Sequence, residues 1–210
     1  MSPINFRKLA ISLAMFAVVA LGSSVVARAD SVYILTDSNF AGSGNFGTVT
    51  THLNGDGSIT VNVQLTAGYV FHSSGAFGFN VVGDVTGLTI SDITPNSIFS
   101  SGGTNVALDG FGKFEFSLDS NQSTAAARLS NTNSLTFTVS RDIGFNSDTQ
   151  LAELNGPNGW FFAAQIAQLD ATGATGFAAG ATAVPEPASM LLLGSGLLGI
   201  AAGFRKRLRK

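Results

Sequence analysis

Gly47-Thr48-Val49-Thr50-Thr51-His52-Leu53 and Ser58-Ile59-Thr60-Val61-Asn62-Val63-Gln64-Leu65 are two β-rich runs joined by Asn54-Gly55-Asp56-Gly57. In the second run every other side chain is apolar. Ile59, Val61, Val63 and Leu65 fall on one face, and Ser58, Thr60, Asn62 and Gln64 on the other. Successive side chains of a strand point to opposite faces, so this run reads as a half-buried strand. Asn, Asp and Gly accept the positive φ of a tight connection, so the two runs read as a hairpin.

The same alternation recurs outward from this hairpin. Val32 to Leu35 reads as a first strand, and Ala76 to Val82 alternates through Phe77, Phe79 and Val81. Leu88 to Ile93 is short and β-rich. Lys113 to Leu118 puts Phe114, Phe116 and Leu118 inward, with Lys113 and Glu115 outward. Ser134 to Ser140 puts Leu135, Phe137 and Val139 inward. Trp160 to Ala167 is apolar on both faces. No helical period of ordinary length intervenes. One-sided strands need a second layer over their apolar face, so the expectation is all-β: an antiparallel β-sandwich, jelly-roll-like. Thr124-Ala125-Ala126-Ala127-Arg128-Leu129 reads as a helical turn or loop. Asp142 to Asn158 is polar and runs into the turn cluster Asn155-Gly156-Pro157-Asn158-Gly159. Residues 30–170 form the expected domain, and 171–183 an Ala/Gly/Thr linker.

The two ends of the chain are of another kind. Arg7 and Lys8 precede an apolar run, and Ala27-Arg28-Ala29 offers a small-x-small cleavage pattern before Asp30. Residues 1–29 therefore read as a secretory signal peptide, cut by signal peptidase at Ala27, Ala29 and Asp30. Residues 188–204 carry no charge, and about 17 residues make roughly 25 Å of helix, at the short end for a bilayer span. Arg205, Lys206, Arg207, Arg209 and Lys210 follow it and fix the tail in the cytoplasm, leaving the body outside. Between body and span stands Val184-Pro185-Glu186-Pro187. Its two prolines impose an extended, exposed strip with one charge.

This order of proline strip, apolar run with small residues and basic end resembles the PEP-CTERM sorting signal, over residues 184–210. The resemblance implies that an exosortase, an integral membrane enzyme, recognises Pro185-Glu186-Pro187 and removes the helix. It also implies a host that makes extracellular polysaccharide and biofilm. Gly194-Ser195-Gly196-Leu197-Leu198-Gly199 spells a dinucleotide fingerprint, but no βαβ unit follows before the chain ends.

Charge and composition narrow the function of the body. Eight of the 11 basic residues lie in the terminal segments, leaving Lys113, Arg128 and Arg141 against 12 acidic residues, a net −9. Such a body repels phosphate backbones, which argues against nucleic acid. With no cysteine, packing rather than disulfides must stabilise an exported fold. His52 and His72 are the only histidines, and no nucleophile elbow or H-E-x-x-H accompanies them. Asn54-Gly55-Asp56-Gly57-Ser58 lacks the repeated acids and terminal Glu of a calcium loop. Glu115 and Glu153 are the only body glutamates, and nothing in the sequence brings them together. Trp160 has the chemistry to stack on sugar, but beside Phe161 and Phe162 it reads as core.

No catalytic residue, metal site or cofactor is expected. The leading reading is an exported, non-enzymatic surface or extracellular-matrix protein with signal peptidase and exosortase as processing partners. A carbohydrate-binding module of the polysaccharide matrix is the alternative, and an extracellular hydrolase a third.

Overall fold

A computed structural model describes residues 30–123, 132–156, 159–169 and 173–184. It contains twelve strands: β1 (Ser31–Ser38), β2 (Gly42–Leu53), β3 (Ile59–Leu65), β4 (Tyr69–Phe71), β5 (Phe77–Phe79), β6 (Thr89–Thr94), β7 (Phe99–Leu108), β8 (Gly112–Ser120), β9 (Ser134–Ser140), β10 (Phe162–Gln168), β11 (Thr175–Gly180) and β12 (Thr182–Val184). Among the described residues the one helical element is a single 3-10 turn, Asp148–Leu151.

All twelve strands belong to one antiparallel sheet in the order β6-β9-β3-β2-β1-β11-β10-β5-β8-β7. β4 and β5 lie end to end along β10, and β11 and β12 end to end along β1. The end strands β6 and β7 come into contact without a hydrogen-bonded ladder. The expected pair of separate sheets is therefore realised as one sheet that curls into a nearly closed barrel. The apolar face is covered by the sheet's own opposite wall, which meets the same need for a second layer.

The interior is filled by aromatic side chains. Phe137 of β9 meets Phe77 and Phe79 of β5, with ring centroids 5.9 and 5.6 Å apart. Phe77 stacks on Phe162 of β10 at 5.8 Å, and Phe162 meets Tyr33 of β1 edge-on at 5.1 Å. Ile59, Val61, Val63 and Leu65 all point into this core, as their alternation requires. The β2–β3 hairpin keeps its expected register, with Leu53 opposite Ile59 and Gly47 opposite Leu65. Its turn closes through Asn54 N to Ser58 O at 2.8 Å, with Gly57 at φ +81.

β10 is buried on both faces. Phe162, Ala164 and Ile166 line the interior, while Ala163 faces outward beneath a second cluster. There the turn between β7 and β8 folds back over the sheet, packing Leu108, Phe111 and Phe114 on Ala163 and Ala179. Gly78, Ala163 and Ala179 share one rung of β5, β10 and β11. A Cβ at Gly78 would come within 2.7 Å of Leu108 Cδ1 and 3.0 Å of Phe114 Cγ. The small residues on this rung let the hairpin lie against the sheet.

Phe114 corrects the sequence reading of β8. Phe116 and Leu118 line the interior, but Phe114 joins the outer cluster. The change coincides with the end of the pairing with β5. β8 pairs with β5 as far as Phe116 opposite Phe79. Beyond it, Glu115 N donates to Asn80 Oδ1 at 2.9 Å, and Val81 N donates to Glu115 Oε2 at 3.0 Å. On the β5 side these side-chain bonds replace the ladder, while β8 stays paired with β7 down to Gly112, and Phe114 packs with Val106 and Leu108 in the outer cluster.

The stretch expected as a linker is a second correction, because 175–180 and 182–184 are strands β11 and β12. Small side chains there serve close packing rather than looseness. A Cβ at Gly180 would collide with the carbonyl of Ile34, and one at Gly176 with the ring of Phe40. The expected turn or loop at Thr124–Leu129 lies outside the described residues.

Candidate functional site

The first and last described strands pair with each other in the middle of the sheet order, away from its end strands β6 and β7. β12 runs antiparallel to the first half of β1, with Val184 opposite Val32, Ala183 opposite Tyr33 and Thr182 opposite Ile34. β11 takes the second half of the same side of β1, with Ala179 opposite Asp37 and Ala178 opposite Ser38. Asp30 and Val184 therefore leave the sheet at the same end. Ala27, Ala29, Pro185, Glu186, Pro187, Arg205, Lys206, Arg207, Arg209 and Lys210 lie outside the described residues, as do the expected signal peptide and the span 188–204. No helix among the described residues is long and apolar enough to cross a membrane.

The start of β1 is fastened by partners far away in sequence. Ser31 N donates to Asp148 Oδ2 at 2.7 Å. Asp148 opens the 3-10 turn, which is held by a capping box. The Ser147 side chain accepts from Thr149 N, and the Gln150 side chain returns to the cap backbone. Asp30 Oδ1 lies 2.6 Å from His52 Nδ1, both side chains being about half exposed. Tyr33 is buried beside this junction, and burial, reinforced by the Asp148 charge, pushes its phenol above the ordinary 10.0. No pattern in the sequence signals these pairings, which span many residues.

Other chemistry-bearing side chains are engaged in holding turns. Asp56 Oδ1 accepts from Ser58 Oγ at 2.7 Å and Ser58 N at 2.9 Å, and these bonds lower its carboxyl below the ordinary 3.8. Asp84 repeats the arrangement with Thr86 Oγ1 at 2.7 Å and Thr86 N at 2.9 Å, again lowering its carboxyl. The residues compared with a calcium loop are thus a hairpin turn closed by its own aspartate. Arg141 is buried and ties two loops together. It donates to Val82 O at 3.0 Å, Asp84 O at 2.6 Å and Gly144 O at 2.9 Å, with its guanidinium 4.2 Å from the Phe145 ring centroid. His72 is half-buried, with Nδ1 3.0 Å from Gln122 O.

The two body glutamates do meet, through Asn80. Asn80 Nδ2 donates to Glu153 O at 3.1 Å, while its Oδ1 holds Glu115 N. The contact uses the backbone of both residues, and the Glu115 carboxylate is taken up by Val81 N. An open groove of about 510 Å³ runs past Val85, Leu88, Asn105 and Glu115. A second, of about 560 Å³, runs past His52, Asn54 and Asn146. Among the described residues no three His, Asp or Glu side chains converge as a metal site would require.

No curated protein and no solved structure gives a match to the chain. Residues 183–207 match the PEP-CTERM protein-sorting motif. That match begins inside β12, one residue before the Val184-Pro185-Glu186-Pro187 strip. Such a motif indicates export, transient membrane anchoring and an exosortase as processing partner. The chain thus carries a PEP-CTERM sorting segment, joined without a spacer to the last strand of its β domain.

Proposed function

We propose that this is an exported, non-enzymatic protein of the cell surface or extracellular matrix. Its C-terminal segment holds it in the inner membrane, with the body in the periplasm, until an exosortase processes it near Pro185-Glu186-Pro187. The carrying observation is the sorting motif at 183–207, which begins within the domain's last strand. The structural use of Asp56, Asp84, Arg141 and Glu115 supports a role without catalysis.

A carbohydrate-binding role ranks second. A sugar-stacking face needs accessible flat rings. Tyr33 is buried, Trp160 packs edge-on against Phe111 at 5.3 Å, and Tyr69 packs against Phe46 at 5.4 Å.

Expression in hosts with and without an exosortase tests the leading reading by mass spectrometry. The expected result is a mature chain lacking residues 188–210 only where the enzyme is present. Retention of 188–210 in the native host overturns it.

A further inference from the structure

We infer that β12 leaves the sheet before the sorting segment is processed, so that Thr182–Val184 enter the enzyme as part of its extended substrate. The inference rests on the proposed exosortase processing and adds to it a requirement on the folded domain.

The sorting motif and the fold share residues. The match starts at Ala183, while Ala183 and Val184 are paired with Tyr33 and Val32. An enzyme that grips the backbone of these residues competes with β1 for the same strand. Reach gives a second reason. With β12 docked, only Pro185, Glu186 and Pro187 separate the sheet from the apolar run at Ala188, roughly 10 Å of extended chain. Freeing Ala181–Val184 adds about 13 Å at ~3.3 Å per residue. That moves the domain away from the bilayer and makes room for a membrane enzyme around the strip.

The structure makes β12 the strand most easily released. It has three register pairs, all with β1, and all three of its side chains are exposed. Among the described residues it pairs with no other strand. Short, exposed elements that bury little apolar surface open first. The opening has a defined stop at Gly180. There β11 is clamped between β10 and β1, with Phe162 opposite Gly180, Phe161 N donating to Gly180 O at 3.0 Å, and Ala179 opposite Asp37. Beyond that point Ala178 and Ala179 are fully buried, so further peeling would expose core.

A reversible clamp on the full chain in an exosortase-containing host tests this. Val32 and Val184 are directly opposite, and opposed antiparallel residues lie roughly 4.5–5.5 Å apart, within disulfide range. The chain has no other cysteine. Oxidised V32C/V184C is expected to lose its tail at least roughly tenfold more slowly than either single variant, and to recover on reduction. Wild-type processing of a chain whose disulfide is intact overturns the inference. A wild-type chain that keeps its tail in the same host overturns the processing reading itself, and this one with it. Hydrogen exchange on the unmodified full chain provides a second measurement. Amides of 182–184 are expected to exchange roughly a hundredfold faster than those of β11, and equal protection overturns the release of β12.

Discussion

Phe137 and Phe79 touch across the barrel, their ring centroids 5.6 Å apart, although five strands lie between β9 and β5 in the sheet. Their contact joins two walls that no ladder connects. Phe77 and Phe162 extend the same stack to β10. This aromatic column packs the walls of the curled sheet together where β6 and β7 meet without a ladder.

Phe137→Ala would remove the side chain that meets both β5 rings. It is fully buried, so the loss combines apolar transfer with an unfilled cavity. The expected cost is about 3–5 kcal/mol, read from urea unfolding of the mature domain. A cost below about 1 kcal/mol would place the closure elsewhere.

Gly78→Ala tests the outer cluster. The added methyl meets Leu108 Cδ1 and Phe114, and overpacking costs about 1–3 kcal/mol. Adding Leu108→Ala removes the nearer obstacle, so the double variant should be less destabilised than the sum of the singles. Strict additivity by denaturant titration would show that the hairpin does not rest on this rung.

Strands were legible in the sequence where one face met water and the other the core. β3 and β9 show this contrast, and the alternation located both. β7, Phe99-Ser100-Ser101-Gly102-Gly103-Thr104-Asn105-Val106-Ala107-Leu108, is polar and glycine-rich along most of its length, and the alternation did not reveal it. β11 was hidden for a different reason. Ala178 and Ala179 are both fully buried, one toward each face, and a strand packed closely on both sides needs small residues that read as a linker. Curling of the sheet rests on contacts such as Phe137–Phe79, which no local pattern encodes. At the candidate site the tail was readable as a motif, but its attachment was not, because Val184 finds Val32 across almost the whole described domain.

The two lowered carboxyls contribute to the acid side of the stability profile. For Asp56 and Asp84 the folded value lies below the ordinary 3.8, so their contribution is fully present above 3.8 and is lost as pH falls through the folded values. Ser58→Ala removes the first cause of the Asp56 shift. Carboxyl-detected NMR titration should then show Asp56 moving up toward 3.8 with Asp84 unchanged.

Tyr33 contributes to the alkaline side. Its folded value lies above 10.0, so its contribution is present below pH 10.0 and is lost as pH rises through the folded value. Tyr33→Phe keeps the ring beside Phe161 and Phe162 and removes the proton. The expected outcome is a flatter stability curve above pH 10.0, followed by thermal melts at stepped pH.

Arg141→Lys keeps the charge but not the planar fork that reaches Val82 O, Asp84 O and Gly144 O. At least one buried carbonyl loses its donor, at an expected cost of about 1–3 kcal/mol. Hydrogen exchange should quicken at Gly144 and Asp142, whose amides bond to Arg141 O and Thr86 O, before it does in β3.

Because Asp30 and Val184 leave from one corner, a molecule hung from the bilayer there shows its opposite rim to the surroundings. That rim holds the bend after β1 at Asn39, bonded through Nδ2 to Asp109 O at 3.0 Å, together with the loop at 66–68. Neighbours in the periplasm would meet these turns first, and on spheroplasts carrying the unprocessed chain an epitope inserted at 66–68 should be reached by antibody before one inserted next to Asp30.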